Sequence, residues 1–223
     1  MADPKTLIQL IETQFGKGHQ SLGYDSLKIQ DDGVNGSFQI TYGRCQAKEQ
    51  DKLRYLIEMY VENEGVFSDD FVPFLDRIGT ESLVSHEGFH QLLVQAANDD
   101  PIMRQTQDAF FDTFYWDPAK AWCEAHGLMC PLSLLVIYDS FVQSGCVPLF
   151  LRKRFSEKPP SKGGDEHKWL AAYVEARHQW LKYHKRRELR AGTAHTQMFR
   201  AEMARGNWDL SQTPIMVEGV PIG

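Results

Sequence analysis

Leu7, Ile8, Leu10, Ile11 and Phe15 recur at helical spacing, after an Asp3-Pro4 start and before Gly16. That combination predicts a first helix with an aspartate cap, proline at its first position and a glycine stop. At about 100° per residue, Glu12 falls on the edge of the apolar stripe, beside Ile8 and Phe15. The period then changes. Leu27 to Ile29 and Phe38 to Tyr42 read as two short strands around the turn residues Asp31-Asp32-Gly33 and Asn35-Gly36. No other stretch predicts strand.

Helical spacing returns over Lys48 to Glu64, Asp69 to Arg77 and Leu83 to Ala97. Asp100-Pro101 and Asp117-Pro118 repeat the cap-then-proline signature and predict two more starts. Pro131 opens Leu132 to Ser144, the most apolar segment and an expected core helix. Glu157 to Gly164, rich in Lys, Pro and Gly, predicts a long flexible connection. Asp165 then caps a helix expected to run to about Ala191, followed by Thr193 to Arg205 and a non-helical tail. No internal repeat is present. The sum is a mainly α (α+β) chain, read as one domain over residues 1–223. Its expected layout is lysozyme-like: two helical lobes and a small β-hairpin flanking a substrate cleft.

Composition narrows the classes. The 223 residues are 42% hydrophobic and 24% charged, as in ordinary globular proteins. A formal net charge of −6 argues against nucleic acid as a partner and against unaided attraction to an anionic surface. No apolar run is long enough for a membrane span. The N-terminus enters helical patterning at once without a signal-peptide core, so the expectation is an intracellular protein, one exported by another route to act on a cell wall, or an excised domain. Cys45, Cys123, Cys130 and Cys146 make no C-x-x-C pair and read as free thiols.

Two acidic groups carry candidate chemistry. Cleaving a glycosidic bond takes one carboxyl that keeps its proton and one that stays ionised. Apolar neighbours supply the first condition by disfavouring charge, and a polar hairpin supplies the second. Glu12 fits the acid. Asp32, with Gly33, Asn35 and Ser37 nearby, fits the base, and Asp31 is its fallback. A competing signal is His86-Glu87-Gly88-Phe89-His90, the H-E-x-x-H pattern of helical zinc proteases, here without a third histidine at the expected distance. Basic runs at Arg152 to Arg154 and Lys182 to Arg190 read first as solvated faces. The five tryptophans read first as core.

Several blocks, in order, resemble family 46 glycoside hydrolases, whose best-known members are chitosanases. They are Gln95-Ala-Ala-Asn-Asp-Asp100, Tyr115-Trp-Asp-Pro-Ala119, Tyr138-Asp139, Gly163-Gly-Asp165-Glu166 with Tyr173 to Arg177, and Gly206-Asn-Trp-Asp-Leu210. The resemblance implies Glu12 as general acid at the end of the first helix and Asp32 as base in the hairpin, with Ser37 positioning water. It also implies a buried arginine–carboxylate network around the acid, to which Arg177 and Asp139 correspond. Gln39, Thr41, Tyr42, Asp165 and Glu166 are the residues expected to touch substrate. No cofactor and no metal are called for, and a monomer is expected.

Departures set the expected substrate. Val34 and Asn35 replace an arginine and a glycine of the family's hairpin. Lys52 stands near the acidic position whose aspartate contacts the amine of glucosamine, and it would repel polycationic chitosan. Phe38-Gln39-Ile40-Thr41 resembles a stretch of lysozymes and lytic transglycosylases. The expectation is therefore a peptidoglycan lysin of lysozyme type, antibacterial, delivered by a phage or a contact-dependent machine and paired with an inhibitor or immunity protein. Chitosan is the alternative substrate.

Overall fold

The computed structural model describes residues 3–15, 23–44 and 46–223. The chain forms two compact units, one of residues 1–19 and 114–223, the other of residues 20–113. It is mainly helical with small antiparallel sheets, as the periodicity predicts. Gly16 and Cys45 lie outside the described residues.

Helix α1 (Pro4–Gln14) begins as its sequence dictates: Asp3 accepts the N–H of Thr6 at 3.3 Å and Pro4 takes the first position. Leu7, Ile8 and Ile11 are buried along one stripe, and Glu12 is buried with them.

In the unit of residues 20–113, β1 (Leu27–Gln30) pairs with β2 (Gln39–Tyr42) from Leu27↔Tyr42 to Gln30↔Gln39. A third strand, β3 (Ala47–Lys48), pairs with β2 through Thr41↔Lys48. This strand corrects the expected helix start. Helix α2 begins at Leu53 and runs to Glu62, because Ala47 and Lys48 are spent on the sheet. Helices α3 (Ser68–Phe71), α4 (Glu87–Asp99) and α5 (Pro101–Phe111) complete the unit. Asp100 caps α5 through the N–H of Ile102 at 2.9 Å. Its other oxygen takes the Tyr60 hydroxyl at 2.5 Å and the Val66 N–H at 2.8 Å. The core is Ile40, Tyr42, Leu56, Tyr60, Phe71, Phe89, Leu93 and Phe110, all fully buried.

The chain returns through α6 (Asp117–His126), α7 (Pro131–Ser144), α8 (Leu149–Arg152), α9 (Glu166–Lys182), α10 (Arg187–Arg190) and α11 (Thr193–Ala204). Asp117 is not a cap, because the backbone before it is already helical. Helix α7 is buried nearly all round, as its composition predicts, and carries Asp139 and Ser140 inside that apolar surface. Asp165 caps α9 through the N–H of Lys168 at 2.8 Å. The helix ends at Lys182 rather than near Ala191; continued, it would stack the like charges of Lys182, Lys185 and Arg186 on one face.

The 157–164 connection is folded, not loose. Arg152 donates to the carbonyls of Phe155 and Glu157, and a Glu157 carboxyl oxygen accepts the N–H of Asp165. A methyl group on Gly164 would lie 1.6 Å from the Lys158 carbonyl oxygen. The tail holds a second hairpin, β4 (Ile215–Val217) with β5 (Val220–Ile222), turned through Glu218 and Gly219 at positive φ. No helix is long and apolar enough to cross a membrane among the described residues.

Candidate active site

Helix α1 places Glu12 against α7, with only 6% of the residue exposed. One carboxyl oxygen accepts from the Gln143 side chain at 3.4 Å, and the other is buried with no hydrogen-bond partner. Burial, reinforced by the negative charge of Asp139, raises the Glu12 pKa to about 8. His195, Gln143 and Arg177 pull the other way without prevailing. At neutral pH this carboxyl holds its proton.

Asp139, fully buried on α7, has one oxygen paired with the Arg177 guanidinium and the other with Nδ1 of His195. Burial alone would raise its pKa, but these two partners hold it down at about 2. Arg177 also donates to the Ser140 hydroxyl at 3.2 Å, which meets the Tyr173 hydroxyl at 2.8 Å. For His195 burial favours the neutral ring, yet Asp139 outweighs it and raises the pKa. Phe15 stacks on that imidazole, ring centroids 3.6 Å apart. Of this network the sequence identifies Arg177 and Asp139 but not His195, which stands 56 residues from its partner on α11 and carries no local motif.

Ligand atoms of Glu12, Asp139 and His195 lie within 4.8 Å of one another. They do not make a good metal site. Both Asp139 oxygens and Nδ1 of His195 are spent on each other and on Arg177, a permanent cation in the same cluster. The arrangement tunes a proton.

The hairpin places Asp32 differently. One oxygen accepts from the Gln39 amide at 2.9 Å and the other pairs with Lys48 Nζ at 2.6 Å. Its limited burial would raise the pKa, but Lys48 and Gln39 hold the carboxyl below its ordinary value. Asp31 is exposed and makes no side-chain hydrogen bond or ion pair among the described residues. Ser37 is exposed, its hydroxyl accepting from Gln50 Nε2 at 3.0 Å. Gln50 also accepts the Val34 N–H at 2.7 Å and donates its own N–H to Gln39 at 3.2 Å. One residue thus laces the turn through its side chain and its backbone N–H, and neither Gln50 nor Lys48 was legible from spacing. Asn35, which replaces the family's glycine, sits at φ 58°, a left-handed position that asparagine tolerates.

Most of the other expected contacts have internal partners among the described residues, the buried hydroxyl of Thr41 excepted. Gln39 is buried and orients Asp32. Thr41 is buried, and Tyr42 lies in the core with its hydroxyl donating to the Leu93 carbonyl at 2.7 Å. Asp165 is a helix cap, while Glu166 accepts from the N–H groups of Met129 and Cys130 and from the Ser133 hydroxyl. Lys52 lies 3.4 Å from the Asp51 carboxylate. A second acidic side chain in that stretch, Glu49, is buried on the N–H groups of Ile40 and Leu83.

His86 precedes α4 and caps it, its Nδ1 accepting the Phe89 N–H at 3.1 Å. His90 instead meets the Leu83 carbonyl at 3.0 Å. The zinc-protease geometry, which needs both histidines on one helix, is not formed. Trp116 and Trp169 are core; Trp122 and Trp208 stack on His126 and His167.

The model of glycosyl hydrolase family 46 matches residues 16–215. The match starts just after Glu12, whose candidacy rests on its surroundings. A chitosanase of Bacillus subtilis (strain 168) is 27% identical over 94% of this chain and 80% of its own length. A family 46 chitosanase of Gynuella sunshinyii, solved as a complex with chitotetraose, is 24% identical with a TM-score of 0.82, covering 100% of this chain and 97% of its own. The native chitosanase of Bacillus subtilis MY002 is also 24% identical, with a TM-score of 0.78 over 95% and 93% of the two chains. The backbone likeness fits the mainly helical fold, and the family match agrees with the ordered motifs. The chain belongs to glycosyl hydrolase family 46.

Proposed function

We propose that this glycosidase is a chitosanase, cleaving β-1,4 bonds between glucosamine units by acid and base catalysis. The carrying observation is the buried Glu12 carboxyl, which keeps its proton at neutral pH while Asp32 is ionised. Glu12 gives its proton to the glycosidic oxygen as the bond to C1 breaks. Asp32 takes a proton from a water held by Ser37, and that oxygen bonds to C1. The Glu12 carboxylate left behind is favoured by Arg177 and by His195, whose charged form Asp139 supports, until it is reprotonated.

Chitosan replaces peptidoglycan as the preferred substrate. The relatives above are chitosanases, and the net charge of −6 attracts a polycation. The expected repulsion from Lys52 is also weakened, because a carboxylate stands beside that ammonium. Mass spectrometry of products after incubation with chitosan and, separately, with purified sacculi tests the assignment. Glucosamine oligomers from chitosan and no release from sacculi are expected. Muropeptides with reducing ends, without chitosan turnover, would restore the peptidoglycan reading.

Lys48 sets the acidic side of the pH profile. Removing it in Lys48→Ala lets the Asp32 pKa rise, so the acidic limb of kcat/KM moves to higher pH. A limb that stays in place would mean that Asp32 is not the titrating base.

A further inference from the structure

Two basic runs, far apart in sequence, meet on the outer face of α9. Arg154, just after α8, and Trp180, Tyr183, His184, Lys185 and Arg186, at and beyond the end of α9, line one open groove of about 600 Å³. A second depression of about 390 Å³ continues from it along α9, sharing Arg154 and Gln179; the carboxylate that lines it, Glu175, pairs with Arg200 at 3.7 Å. Arg154, Lys185 and Arg186 are exposed and enter no ion pair among the described residues. Such a cluster of exposed cations stands out on a chain whose net charge is −6. Aromatic surface is offered beside them. Tyr183 is 72% exposed, and Trp180 lies half-buried against Phe150, itself 47% exposed. Arg154 sits over the Phe150 ring at 5.7 Å and Lys182 over the Tyr183 ring at 5.5 Å.

The chemistry of this face excludes the proposed substrate, because a polycation is repelled by the charge that lines it. It suits the opposite polymer. We propose that the α9 groove is a binding site for an anionic polysaccharide, one bearing carboxylates such as a uronic-acid polymer. Lys185, Arg186 and Arg154 contact the acid groups, and Tyr183 and Trp180 present flat faces to the sugar rings. The open ends of the groove admit a chain rather than a single sugar. Holding an anionic polymer here leaves Glu12 and Asp32 free, since neither lines the groove.

Polygalacturonate is the probe, applied to the full chain by calorimetry and by affinity electrophoresis at low and moderate salt. Wild-type protein should bind, and binding should weaken as salt rises. The triple variant Arg154→Gln, Lys185→Gln, Arg186→Gln should weaken binding about tenfold or more, and Tyr183→Ala by a few fold. A control triple of equal charge, Lys120→Gln, Lys162→Gln, Lys168→Gln, lies on other exposed surface and should bind as wild type. Chitosan turnover and thermal midpoint should be unchanged in all of these variants. Should the groove triple fold poorly, the single reversal Lys185→Glu carries the same test. Absence of binding by wild type, or equal loss in both triples, overturns the proposal. So does tighter binding of a single-stranded DNA oligomer that the groove triple abolishes, which would make the occupant a nucleic acid.

Discussion

Glu12→Gln should lower kcat on chitosan by about 10²–10⁴-fold, the usual contribution of a positioned acid, and at the same time make the protein harder to unfold at alkaline pH. The second half follows from linkage. The Glu12 pKa is about 8 in the folded protein against an ordinary value of 4.5. Between those values the folded state binds the extra proton, so stability falls as pH rises from the lower to the upper. Above about 8 the full penalty of a buried carboxylate is in force. Glutamine fills the same space without titrating and removes that penalty. The thermal midpoint of Glu12→Gln should therefore exceed wild type most at about pH 9 and least at about pH 5. In wild type the alkaline limb of activity should fall near 8 in the free enzyme. Wild-type turnover by Glu12→Gln, or a lower midpoint at high pH, would remove Glu12 from the reaction.

Asp139→Asn should cost about 3–5 kcal/mol of stability, read from urea midpoints, because it strands a buried guanidinium. Arg177 is only 4% exposed and has no other carboxylate partner among the described residues. The same substitution removes a negative charge that holds the Glu12 pKa up. It also loosens the His195 proton, but Asp139 is the larger influence on Glu12 and the Arg177 cation that lowers it remains. The alkaline limb of the residual activity should thus move to lower pH. A purely structural ion pair would lose stability without that shift. Replacing both partners, as Asp139→Leu with Arg177→Met, should recover part of the lost stability, since neither charge is then left alone. Unchanged urea midpoints in Asp139→Asn would contradict the network.

Most helices were legible because their caps and apolar stripes are local, as at Asp3-Pro4, Asp100-Pro101 and Asp165. The tail hairpin escaped because Glu218-Gly219 is a weaker turn signal than Asn-Gly and its strands are only three residues long. The connection at 157–164 looked loose from its prolines and glycines, yet Gly164 is there to let the backbone pass the Lys158 carbonyl. Site residues divide in the same way. Glu12 and Asp32 stand out through their immediate neighbours. His195, Lys48 and Gln50 act across 56, 16 and 13 residues, and no window of sequence brings them to their partners. The burial of Gln39 to Tyr42 on both faces was not legible, because a short run of residues does not show whether a strand is covered on one side or two.

With His195 protonated, the cluster beneath Glu12 is electrically lopsided before any reaction. Arg177 and the imidazolium bring two positive charges to a single carboxylate at Asp139. Loss of the Glu12 proton supplies the missing negative charge. The interior thus reaches neutrality only when the acid has discharged, and the surplus cation is what keeps so deeply buried a carboxyl able to let its proton go.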